Sequence, residues 1–73
     1  VEKFYIYETG ATVFGVKDGV VTEYSKHESP KVCDEQDTKV ILEDIDKGIM
    51  KSVSSVKDGF GRLNQIEVLD DIF

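Results

Sequence analysis

Residues 38–63, TKVILEDIDKGIMKSVSSVKDGFGRL, read in two ways, and the choice between them decides the fold. Leu42, Ile45, Ile49, Val53, Val56, Phe60 and Leu63 recur at spacings of three and four. At about 100° per residue they fall in one stripe, the pattern of an amphipathic helix. Asp37 then serves as the N-cap, and Gly59 as the glycine just past the last turn. On this reading Glu43, Asp44 and Asp46 lie on a wet helix face near the positive end of the helix dipole. The rival reading takes Asp46-Lys47-Gly48 and Lys57-Asp58-Gly59 as hairpin turns and makes the chain a small six-stranded all-β barrel. Gly48 and the run Ser52-Val53-Ser54-Ser55-Val56 are weak helix formers. Residues 49–56 do not alternate as a strand would, however, so the helix is the preferred expectation.

Toward the N-terminus the apolar period shortens to two. Phe4 and Ile6, flanked by Tyr5 and Tyr7, make a first strand, Thr9-Gly10 a turn, and Thr12–Val16 a second strand. Val20–Tyr24 makes a third. Lys17-Asp18-Gly19 joins the last two, and Asp-Gly between β-branched runs is a strong hairpin signal, because a type I′ turn needs positive φ at both central residues. Both faces of the first strand are apolar or aromatic, which suits a central strand or one with an exposed sticky face. Ser29-Pro30 is read as the end of the ladder, since proline has no N–H to donate. Cys33-Asp-Glu-Gln-Asp37 is then a polar loop or short helical turn.

The expected fold class is therefore α+β: a three-stranded antiparallel meander, an acidic connection, one amphipathic helix packed across the sheet, and a C-terminal strand at Gln65–Val68. The small barrel is the alternative. At 73 residues, one small domain spanning 1–73 is expected. The apolar set is rich in Val, Ile, Phe and Tyr, with three leucines (Leu42, Leu63, Leu69) and Ala11 as the one alanine, which favours pleated structure. The tail Asp70-Asp71-Ile72-Phe73 reads either as a frayed end or as a short linear anchor.

Charge is unevenly spread. From His27 to Asp46 there are seven carboxylates and two lysines, five of the chain's six net negatives. Phosphate contacts require Lys and Arg, so direct nucleic-acid binding is disfavoured, and an anionic membrane surface is disfavoured for the same reason. No basic and apolar leader opens the sequence, and no apolar run approaches the roughly 18 residues of a spanning helix. One cysteine, Cys33, leaves no intrachain disulfide and favours a reducing compartment; a cytoplasmic location is expected.

Chemistry-bearing constellations are weak. His27, Glu28, Cys33, Asp34, Glu35 and Asp37 are all candidate metal ligands in one stretch. A structural zinc site wants paired Cys and His, however, and a calcium loop wants ordered oxygen positions, a central glycine and a closing Glu. Neither pattern is present, so no metal and no cofactor are expected. A Cys33–His27 pair lacks an orienting third group, and the acidic neighbours raise the thiol pKa. There is no phosphate-binding glycine motif, and a domain this small has little room for an enclosed pocket. An enzyme is not expected.

The remaining candidate is the acidic band itself. A one-signed patch steers an oppositely charged partner toward it. The expectation is a small acidic, non-enzymatic binding or regulatory module, an inhibitor or adaptor. It would contact a basic surface of a partner protein through Asp34, Glu35, Asp37, Glu43, Asp44 and Asp46, with Tyr5, Tyr7 or Phe73 as apolar anchors. One alternative is a structural, self-assembling homo-oligomer subunit. Another is a nucleic-acid mimic whose carboxylates occupy a DNA- or RNA-binding protein. Net charge away from zero also simply keeps a small domain soluble.

Overall fold

The computed structural model describes residues 1–63 of the 73. It is α+β, built on an open five-stranded antiparallel sheet. The strands are β1 (Lys3–Ile6), β2 (Val13–Lys17), β3 (Val20–Ser25), β4 (Glu28–Val32) and β5 (Lys51–Val53). Two helices accompany them, α1 (Glu35–Asp46) and α2 (56–63). Strand order across the sheet is β4-β3-β2-β1-β5. The sheet does not close, so the barrel alternative is set aside.

The β2–β3 hairpin forms as its residues dictate. Asp18 and Gly19 take φ values of 52° and 78°, the two positive angles of a type I′ turn. The register places Val13 opposite Tyr24 and Val16 opposite Val21. The meander then continues one strand further than expected. Pro30 does not end the ladder but sits inside β4, every residue of which is exposed. β4 is the outermost strand and its pairing with β3 carries an irregularity between Glu23 and Ser25. Proline is tolerated on such an edge because the ladder does not need its missing N–H.

The single helix expected over residues 38–63 is the principal correction. α1 starts earlier, with Asp34 rather than Asp37 as N-cap: the Asp34 side chain accepts from the Asp37 backbone N–H at 2.8 Å. Gly48, at φ 76°, ends it. The Gly48 N–H reaches the Ile45 carbonyl at 3.1 Å and the Ile49 N–H reaches that of Asp44 at 3.0 Å, the paired bonds of a Schellman stop. Beyond it the chain extends into β5, which pairs with β1 through Phe4–Val53 and Ile6–Lys51. α2 follows. Ser55 and Asp58 meet at its start, where the Asp58 N–H donates to Ser55 Oγ at 3.0 Å and Asp58 Oδ2 accepts from the Ser54 N–H at 3.2 Å. Gly59 therefore lies inside a helix rather than after one.

The sheet is covered on both faces. Phe4, Ile6, Val13 and Val53 face α2 and pack with Val56, Phe60 and Leu63. Tyr5, Tyr7, Phe14, Val16 and Val21 face α1 and pack with Ile41, Ile45, Met50 and Cys33. The two faces follow from period-two alternation along β1 and β2. Both apolar faces of the first strand thus find cover within one chain. Tyr5 and Tyr7 are half-buried beneath α1, which removes them as exposed anchors. The expected strand at Gln65–Val68 and the Phe73 anchor lie outside the described residues.

Candidate functional site

One element carries the whole acidic set. Asp34 caps α1, and Glu35, Asp37, Glu43, Asp44 and Asp46 lie on it. Residues 34–46 hold six carboxylates and one lysine, Lys39, leaving five net negatives. The helix forms here because Asp34 satisfies a free N–H of the first turn, Ile41 and Ile45 supply an inward stripe, and Gly48 stops the turn. Glu35 and Asp37 in the first turn are favoured by the dipole.

The other three are not. With α1 ending at Asp46, Glu43, Asp44 and Asp46 occupy its C-terminal turns, and no basic residue lies in the last turn. This reverses the expectation that the dipole stabilises them. Negative side chains at the negative helix end cost about 0.3–1 kcal/mol each at an exposed site.

The six carboxylates divide into distinct roles. Asp34 is occupied as the cap. Asp44 is half-buried and accepts a hydrogen bond from the Tyr7 hydroxyl. Burial, then that hydrogen bond and the Asp44 charge, push the Tyr7 phenol up to about 12. Glu35, Asp37, Glu43 and Asp46 are exposed. At about 100° per residue, Glu35, Lys39, Glu43 and Asp46 fall within an arc of about 80°, while Asp37 and Asp44 lie on another flank, about 100° or more beyond Glu43. Among the described residues the ion pairs are Lys51–Glu8 and Arg62–Asp58, both exposed, so Lys39 neutralises neither Glu35 nor Glu43 by direct contact. The outward row of α1 is a solvated strip of three carboxylates and Lys39, roughly 16 Å long, eleven steps of about 1.5 Å from Glu35 to Asp46.

Cys33 and His27 do not meet. They flank opposite ends of β4, roughly 20 Å apart at about 3.3 Å per residue. Burial raises the Cys33 thiol pKa, and Glu23, Asp37 and Asp34 raise it further against an opposing effect of Lys31. Such a thiol is a poor nucleophile. Among the described residues no three His, Cys, Asp or Glu side chains gather as a metal site would require. His27 instead borders a cleft of about 370 Å³, together with Thr12, Ser25, Glu28 and Leu63, which none of the α1 carboxylates lines. Among the described residues no helix is long and apolar enough to cross a membrane.

Sequence reasoning offered Tyr7 only as an exposed anchor and missed its bond to Asp44. Its partner lies 37 residues away, and no local pattern links an aromatic at the end of one strand to an aspartate on a later helix. Comparison of the chain with family models, with curated proteins and with solved structures finds no match.

Proposed function

We propose that this chain is a small, non-enzymatic binding module, an inhibitor or adaptor, that docks on a basic surface of a partner protein through the outward row of α1. Glu35, Glu43 and Asp46 form the contact; Asp37, on the other flank of the helix with Asp44, lies outside it. The supporting observation is the placing of Glu43 and Asp46 in the last turn of α1, where the one basic neighbour at the helix end is the C-cap Lys47. The dipole disfavours that position, with Lys47 offsetting it in part, and a charge serving solubility alone could sit on any exposed strand or turn without that cost. A cationic partner would offset the repulsion in the complex and gain rate from steering. A row on a regular helix presents its charges in fixed register, as recognition requires.

Affinity capture from the native host tests this with matched charge changes. E35Q/E43Q/D46N and E8Q/D18N/E28Q each take the net charge from −6 to −3. Glu8, Asp18 and Glu28 are exposed and lie off α1. The first variant should lose the captured partner and the second should retain it. Equal loss in both would reject the helix as the docking surface and leave only a net-charge effect.

A further inference from the structure

Val-Lys-Asp-Gly occurs twice in the chain, at 16–19 and at 56–59. We propose that Asp18–Gly19 is a spontaneous modification site, at which the peptide linkage moves from the α- to the β-carboxyl of Asp18, and that the fold holds its twin at Asp58–Gly59 inert. Glycine makes both linkages susceptible, because without a side chain it leaves its amide nitrogen open to the neighbouring carboxyl. The Gly19 nitrogen attacks Cγ of Asp18. A C–N bond forms, and the hydroxyl of the protonated carboxyl leaves with the amide proton as water, giving a five-membered imide. Water then adds back. Opening at the side-chain carbonyl restores aspartate, whereas opening at the main-chain carbonyl leaves an isoaspartyl linkage with a free α-carboxylate. One water is lost and one regained, so solvent is the sole co-reactant.

The two copies meet very different surroundings. Asp18 and Gly19 are both exposed. Among the described residues the Asp18 carboxylate makes no hydrogen bond or ion pair. Gly19 lies beyond the Lys17–Val20 pair that closes the ladder, and apart from its chain neighbours no described atom stands within 4 Å of a Cβ built on it. The Gly19 nitrogen thus has room to swing over Cγ. At the twin, Asp58 Oδ2 accepts from the Ser54 N–H at 3.2 Å and faces Arg62 Nε at 3.7 Å. The Gly59 N–H donates to the Ser55 carbonyl at 3.0 Å, and Gly59 is buried against Ile6 and Val13. Nucleophile and carboxyl are both engaged there, so α2 must open before they can react.

The isoaspartyl linkage adds one methylene to the main chain of a two-residue turn. A type I′ turn fits the twist of its strands with two residues only, and this one sets Val21, 0 % exposed, opposite Val16. Net charge does not change, since one carboxylate replaces another. The modification therefore acts through the register of the hairpin.

Ageing the full chain in neutral buffer tests this. The aged protein is labelled by an isoaspartyl O-methyltransferase with a radioactive methyl donor, and peptide mapping locates the label. The folded chain should carry about tenfold more label at residues 18–19 than at 58–59, the ratio that a local opening of α2 costing about 1.4 kcal/mol produces. Aged in urea, the two copies should label alike. Asp18→Gly keeps a Gly-Gly pair suited to the turn and should lose the label of the folded chain. Equal labelling of both sites in the folded chain would overturn the proposal, as would the same preference for Asp18 persisting in urea. A folded chain unlabelled at Asp18 that labels there in urea would show the turn to be protective, and would overturn it equally. The isolated isomer at Asp18 should lose amide exchange protection in β2 and β3 about tenfold. Unchanged protection would overturn the effect on register.

Discussion

Two glycines on α2, two positions apart, should respond oppositely to the same substitution. A methyl group at Gly59 would stand 2.6 Å from Val13 Cγ2, 3.2 Å from Ile6 Cγ2 and 3.3 Å from Val13 Cγ1. Carbon atoms pack best at about 3.5–4.0 Å, and Val13 and Ile6 are 0 % and 1 % exposed, so neither has open space to move into. Overpacking of this kind costs about 1–3 kcal/mol, and replacing a helical glycine with alanine returns up to about 1 kcal/mol. Gly59→Ala should therefore destabilise the fold by about 1–2 kcal/mol, lowering Tm by roughly 5–15 °C for a domain this size. Among the described residues, outside its chain neighbours and its own helix backbone, no atom lies within 4 Å of the would-be Cβ of Gly61. Gly61→Ala should thus gain the helix term alone, about 0.5–1 kcal/mol, and raise Tm by a few degrees. Thermal unfolding followed by circular dichroism measures both. A stabilised Gly59→Ala, or two variants shifting alike, would refute the packing of α2 on Ile6 and Val13 and with it the covering of that sheet face.

Further expectations concern α1 and its contacts. E43Q/D46N should raise the urea midpoint, because removing each charge from the negative helix end recovers about 0.3–1 kcal/mol; a lower midpoint would contradict the placing of those residues. Asp34→Ala should cost about 1 kcal/mol as a lost N-cap, whereas Asp37→Ala should cost far less, a comparison read from equilibrium unfolding. Tyr7 has its phenol raised from 10.0 to about 12, so the folded state favours the protonated form. Its contribution is complete below pH 10 and is lost as pH rises toward 12, and urea midpoints in that window should fall more steeply for wild type than for Tyr7→Phe.

The hairpin at residues 17–20 was legible because its signal is local: two adjacent residues suited to positive φ between two β-branched runs. The stretch 38–63 was not, because its apparent stripe joins residues that the fold sends to different places. Ile45 packs beneath one side of the sheet, Val53, Val56, Phe60 and Leu63 on the other, and Leu42 and Ile49 are exposed. Gly48 and the serine run spoke against one continuous helix, and the paired bonds at Gly48 show what that glycine does. A three-residue strand such as β5 is too short to display a period, and it is defined by the edge of β1 that it completes. Pro30 misled in the opposite sense, since its effect depends on whether the strand is at an edge, which only the assembled sheet decides. For the candidate site, composition located the carboxylates, and one helix with its cap proved to hold all six. Their division into a cap, a clamp and an outward row depends on partners far away in sequence or on helix ends that sequence misplaced.

The most direct test of the account is the ionic-strength dependence of the association rate between this chain and its captured partner. For wild type the rate should fall steeply as salt screens the α1 row. E35Q/E43Q/D46N should start slower and show a flattened dependence, while E8Q/D18N/E28Q, with the same net charge, keeps most of the wild-type slope. Identical slopes for the two variants would contradict the claim that α1 presents the docking surface.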